Sequence, residues 1–162
     1  MSCKIMHRFI NHMQETINKL ESFLISVPQL INDLSLEEAE LKSAPSKWSK
    51  KEILGHLCDS AINNLQRFTE IQFEAKPYKI RRYQQDDLVT AIGYQQMPIQ
   101  KVLELWLALN SQIIWVMKLQ TKESLNYEII VGDSEIKTLR WLMIDYVNHL
   151  EHHLAQIILG TH

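Results

Sequence analysis

Glycine and proline are scarce, four of each in 162 residues, and that is too few turn-formers for a sandwich or barrel of many short strands. Cysteine is scarcer still. The two thiols, Cys3 and Cys58, make no disulfide framework and point to a reducing compartment. Neither sign of charge dominates: seventeen basic residues against nineteen acidic ones leave a formal net charge of -2, so little draws the chain to nucleic acid or to an anionic membrane surface. The basic run from Lys79 to Arg82 reads as a solvated loop. No apolar stretch approaches the roughly 18 residues of a membrane-spanning helix, and no signal-type segment follows Met1, so a cytoplasmic, unprocessed chain is expected.

What is present is apolar periodicity. At 46% hydrophobic and 22% charged residues the chain can bury one core, and its length fits a single domain over residues 1–162. Phe9, Met13, Ile17, Leu20, Leu24, Val27, Ile31 and Leu34 recur at steps of three and four, which predicts a first helix that kinks or breaks at Pro28. Ser35 and Glu38 suit a short capped turn, and residues 43–46 a connection. Ser49 and Glu52 form a capping box, so a second helix starts near Lys50 with the stripe Ile53, Leu57, Ala61, Leu65, Phe68 and Ile71, ending before Pro77. Residues 78–97 show little periodicity and predict a long crossover loop holding at most a short helix.

Pro98 suits the first turn of a third helix with the stripe Val102, Trp106, Leu109, Ile113, Val116 and Gln120. Residues 127–138, around Gly132 and Asp133, predict a small hairpin. Thr138 and Gly160 cap and stop a fourth helix whose apolar face is Leu139, Leu142, Met143, Tyr146, Leu150, Leu154, Ile157 and Ile158. Trp106, Trp115 and Met143 are assigned to core filling. The expected fold is all-α, a four-helix bundle with a long crossover loop and a small hairpin before the last helix.

Chemistry concentrates on the edges of two stripes. His149 and His153 are four apart, so their imidazoles lie on one helix face, bordering the apolar one. His56 borders the second helix's stripe in the same way, with Ser60, Asn63 and Arg67 along the same edge. If the two helices are neighbours, three imidazoles meet, and three neutral histidines with an open position describe a catalytic zinc-type site rather than a closed structural one. Asp59, three after His56, and Asp145, four before His149, are placed to accept the outer imidazole N–H groups. Cys58 reads as a packed thiol. His152 and Glu151 read as solvent-facing, and His7, His12 and His162 as surface residues. There is no glycine-rich phosphate loop, no G-x-S-x-G and no CxxC.

The segment Lys47-Trp48-Ser49-Lys50-Lys51-Glu52-Ile53-Leu54-Gly55-His56-Leu57-Cys58-Asp59-Ser60, with Arg67-Phe68 beyond it, resembles the second-helix motif of the DinB superfamily, in particular its YfiT-like branch. Residues 145–157, which hold His149 and His153, resemble that family's closing motif, and Arg82-Tyr83-Gln84-Gln85-Asp86 its loop. The resemblance implies a four-helix bundle, often a homodimer, holding a divalent metal through His56, His149 and His153 with water completing the shell. Zinc comes first as the metal, then nickel, with copper and iron also suited to imidazole. Asn63, Arg67, Tyr83 and Gln156 are taken as pocket residues, Arg67 and Tyr83 as contacts for an anionic cosubstrate. Family members are named as metal-dependent hydrolases or act as thiol-dependent S-transferases or isomerases with bacillithiol or mycothiol. The expected function is therefore transfer of a low-molecular-weight thiol to an electrophilic small molecule. The alternatives are hydrolysis by metal-bound water and a non-enzymatic, metal-binding, stress-related bundle. The chain departs from the family pattern at Leu88, where relatives often carry tryptophan, and at Asn148, where they are often aromatic; both positions are expected near the pocket.

Overall fold

The computed structural model describes residues 3–160, with side chains described from residue 12 onward; the expectations for the side chains of Cys3, His7, Phe9 and His162 fall outside them. In chain order the elements are α1 (Cys3–Asn32), α2 (Leu36–Glu40), α3 (Lys50–Glu70), β1 (Tyr78–Lys79), α4 (Gln85–Ile92), α5 (Ile99–Lys118), β2 (Glu128–Val131), β3 (Glu135–Thr138) and α6 (Leu139–Leu159). Short 3-10 turns follow α4 at Tyr94–Gln96 and α5 at Ser124–Asn126.

The four long helices form the expected bundle. α3 packs on α5 and α6, and α1 packs on the same two, so α1 and α3 lie across the diagonal. The stripes supply the core: Leu20, Leu54, Ala61, Phe68, Val102, Trp106, Ile113, Leu139, Met143, Leu150 and Ile157 are inaccessible to solvent. Two expected core residues are not there. Trp115 is 62% exposed and Ile158 61%, because each falls on the outward side of its helix, one position off the residues that meet the neighbours. α1 runs unbroken through Pro28, and Pro98 stands at the N-cap of α5 rather than in its first turn.

Helix ends follow the sequence signals. At α3 the Ser49 hydroxyl accepts from the Glu52 backbone N–H at 3.1 Å, while Glu52 Oε2 accepts from the Ser49 N–H at 2.8 Å. The same hydroxyl donates to Gln95 Oε1 at 2.6 Å, tying the start of α3 to the loop after α4. Ser49→Ala removes the cap and leaves buried groups unpaired, so it should cost about 2 kcal/mol in a denaturant melt. Thr138 caps α6, and Gly160 ends it in the left-handed conformation with φ 63°.

The predicted hairpin is present and has a third strand. β2 and β3 pair antiparallel, Glu128 opposite Thr138 and Val131 opposite Glu135, and β1 joins β2 in parallel with Tyr78 opposite Ile129. The sheet lies beside α3 and α6: the Tyr78 hydroxyl donates to Glu70 Oε2 on α3, and β3 runs directly into α6. None of the described helices is long and apolar enough to cross a membrane.

Candidate metal centre

The capping box starts α3 so that His56 arrives fully buried beside α6, which carries His149 and His153. Nε2 of His56 lies 3.1 Å from Nε2 of His149. The ring centroids are separated by 5.3 Å for His56 and His149, 4.8 Å for His56 and His153, and 4.5 Å for His149 and His153. One nitrogen from each lies within 4.8 Å of the others, and among the described residues no carboxylate or thiolate joins the group. Two nitrogens bound tetrahedrally to one zinc-sized ion stand roughly 3.3 Å apart, so the His56–His149 pair already has close to that spacing.

Electrostatics keep the rings neutral. Burial, reinforced by the other two imidazoles, lowers His56 to about 3; burial and the neighbouring His153 and His152 lower His149 to about 4. His153 is lowered too, again chiefly by burial, against a raising hydrogen bond from Gln156. A neutral imidazole is the ligating form, so the cluster needs no proton loss at neutral pH to take a cation. Three imidazoles with nothing to balance a proton among them fit a divalent ion better than they fit one another.

Each ring is held from outside. Gln156 Oε1 meets His153 Nδ1 at 2.7 Å, which makes Nδ1 the donor and leaves Nε2 free for the cluster. Trp48 lies on His56 with ring centroids 4.8 Å apart. It precedes the Ser49 cap, and with Ile53 it occupies the two positions of a hydrophobic staple, the signal that could have placed it here.

Among the described residues neither carboxylate hydrogen-bonds to its histidine. Asp59 accepts from the Tyr94 hydroxyl at 2.7 Å, and its other oxygen and His56 Nδ1 are both buried without a partner. Asp145 is exposed and hydrogen-bonds to neither histidine among the described residues; it lines a cleft beside His149. Asn63 also departs from expectation. Its amide turns back onto the Asp59 carbonyl at 2.9 Å, and it faces a separate surface groove with Glu70 and Lys79. The next residue, Asn64, lies on the side of α3 that opens beside the histidines. Leu88 is half-buried and Asn148 exposed, and neither lines the two clefts described next. Cys58 is the packed thiol expected, donating to the Val102 carbonyl at 3.6 Å, with burial pushing its pKa up. His152 and Glu151 are exposed, as is His12.

Two clefts reach the cluster, one at His153 and the other at His149. The smaller, about 240 Å³, touches His153 and is walled by Trp48, Ile53, Asp86 and Gln156. The larger, about 570 Å³, touches His149 and is walled by Asn64, Arg67, Arg82, Tyr83 and Trp141, with Val131 and Gly132 of the hairpin closing one side. Arg67 is oriented before any ligand arrives: it donates to the Arg81 carbonyl at 2.8 Å and to Asn64 Oδ1 at 3.3 Å, and lies 5.5 Å over the Tyr83 ring. Burial raises the Tyr83 phenol, so it stays protonated and able to donate.

Residues 26–157 match the DinB superfamily, and the chain belongs to it. A protein of Halalkalibacterium halodurans with the provisional name of metal-dependent hydrolase is 26% identical over 126 residues, covering 76% of this chain and 72% of the relative. Another of that provisional name, from Oceanobacillus iheyensis, is 23% identical over 156 residues, covering 91% of this chain and 84% of the relative. The solved structure of YfiT from Bacillus subtilis, described as an inferred metal-dependent hydrolase with an unusual four-helix bundle topology, superposes with a TM-score of 0.73 at 22% identity, covering 98% of this chain and 86% of that one. At that identity the superposition establishes the shared fold.

Proposed function

We propose that the chain is a metal-dependent enzyme that joins a low-molecular-weight thiol, of the bacillithiol type, to an electrophilic small molecule, with His56, His149 and His153 holding a divalent cation, zinc before nickel. The supporting observation is the meeting of three neutral imidazoles between two clefts of different character. A cation with an open position lowers the pKa of a thiol or water that enters it.

The chain's own residues supply the rest. Gln156 fixes the tautomer of His153. Arg67 and Arg82 give the larger cleft positive charge, suited to a thiol that carries carboxylates. Trp48 and Ile53 give the smaller cleft an apolar wall for the electrophile. The net reaction forms an S–C bond at the electrophilic carbon, expels the leaving group with its bonding electrons, and releases the thiol proton to solvent. The homodimer implied by the family and the reducing, cytoplasmic setting suggested by the cysteines belong to the same reading.

A second reading, hydrolysis of a small ester or amide at the same position, is favoured by the names of the relatives. Turnover of monochlorobimane by metal-loaded protein, with and without bacillithiol, set against a panel of esters, separates them. Thiol-dependent turnover supports transfer; ester cleavage without thiol replaces it with hydrolysis, and no turnover of either leaves a binding protein. In the first case Arg67→Ala should raise KM for the thiol about tenfold, the loss of one charged hydrogen bond, with kcat little changed.

A further inference from the structure

The histidine best packed in the cluster is the one whose outer nitrogen has nothing to hold it. His56 is inaccessible to solvent, its Nε2 faces His149, and its Nδ1 is buried without a hydrogen-bond partner. A buried unpaired ring nitrogen is unfavourable and leaves both tautomer and ring angle unset. One helical turn on, Asp59 is 2% exposed and carries the matching defect: Oδ1 accepts from the Tyr94 hydroxyl, while Oδ2 has no partner. Residues three apart on a helix are neighbours. A donor-capable nitrogen and an acceptor oxygen, each alone and buried, therefore stand on adjacent turns of α3.

Tyr94 is built into this arrangement rather than resting beside it. It is 1% exposed and comes from the 3-10 turn after α4, a different part of the chain from the histidines. Its ring lies on the backbone of α3 at Gly55, so close that an ideal Cβ there would stand 2.7 Å from Cδ1 and nearer still to Cγ and Cδ2. Only glycine lets the ring sit low enough for its hydroxyl to reach Asp59, four residues further along the same helix. The neighbouring Gln95 holds that turn in place, donating to the Glu40 carbonyl at 2.9 Å and accepting from Ser49.

We propose that Tyr94 is a positioning residue for the metal centre: it anchors Asp59 through one carboxylate oxygen so that the other accepts a hydrogen bond from the Nδ1–H of His56 when a cation occupies the cluster. Pairing Nδ1–H with a carboxylate makes the ring a stronger ligand through Nε2 and fixes its plane. It also places a negative charge behind the one fully buried ligand, partly balancing an ion whose three donors are neutral. The carboxylate belongs to α3 and its anchor to the crossover segment, so the segment between α3 and α5 takes part in metal binding without providing a ligand.

The inference rests on the three histidines binding a cation, and the test keeps the two apart. Wild type, Tyr94→Phe and Asp59→Asn are purified, stripped of metal and titrated with cobalt(II), followed by the visible absorption of the bound ion and by competition with a chelator. Tyr94→Phe keeps the ring against Gly55 and deletes only the hydroxyl. Both variants should bind cobalt about tenfold more weakly and shift the visible band, while the melting temperature of the metal-free Tyr94→Phe protein stays within a few degrees of wild type. Asp59→Glu should recover part of the affinity that Asp59→Asn loses. Cobalt binding by Tyr94→Phe within twofold of wild type, with an unchanged spectrum, overturns the role of Tyr94 and leaves the histidine site standing. The same holds if only Asp59→Asn weakens binding, or if the loss in Tyr94→Phe merely accompanies a large fall in metal-free stability. A wild-type protein that binds no cobalt overturns both.

Discussion

Replacing His153 by alanine should lower bound metal at least tenfold, the scale on which even outer partners of a ligand act, and leave the helices intact. The site is half-buried near the end of α6, and alanine is the best helix former, so the backbone has no reason to change. What goes is one of three nitrogens together with the ring that Gln156 holds in a single tautomer. Two imidazoles from His56 and His149 remain, spaced for one ion but with two positions left to solvent. The measurement is elemental analysis of protein purified without an affinity metal, paired with circular dichroism. His152→Ala serves as the control, since that ring is exposed one position earlier on the same helix and is not among the three whose nitrogens converge, so it should leave metal content unchanged. Full retention in His153→Ala would remove the basis for any metal-dependent activity.

The parts of this site that could be read in advance are those set by local periodicity. His149 and His153 share a face because a helix repeats every 3.6 residues, and His56 falls on the matching edge of α3 because Ser49 and Glu52 fix where that helix begins. The four long helices follow from the same arithmetic. What could not be read depends on contacts between distant segments. β1 is two residues long and pairs with a strand some fifty positions away, so no local pattern marks it. Trp115 carries the same apolar signal as Trp106, yet one is 62% exposed and the other fully buried, since helix rotation within the bundle is settled by neighbours. Asp59 has the correct spacing to serve His56, but spacing cannot reveal that a tyrosine from the crossover segment has taken one of its oxygens. Asn63 and Asn64 show the finest limit: adjacent amides on one helix, separated by about 100° of rotation, of which only the second opens onto the cleft beside His149.

Gly55→Ala should destabilise the fold by about 3 kcal/mol, at the upper end of the cost of overpacking a tight core. For a chain of this size that is a fall in melting temperature of about 6 to 12 °C. The sign is informative, because glycine inside a helix costs about 1 kcal/mol relative to alanine, and propensity alone predicts a gain. The new Cβ would overlap the Tyr94 ring, whose nearest atoms lie within 2.7 Å of its position. That ring is almost wholly enclosed, so it cannot swing into solvent without opening the turn between α4 and α5. Any retreat also lengthens the bond from its hydroxyl to Asp59 and strands a second buried carboxylate oxygen. Tyr94→Leu in the Gly55→Ala background should restore part of the stability by trimming the ring, giving the two substitutions a coupling of opposite sign to their separate costs. Thermal melts of the two single variants and the double variant decide the matter. A Gly55→Ala protein more stable than wild type would mean that the ring can move aside freely, and a ring that free could not hold Asp59 in register behind His56.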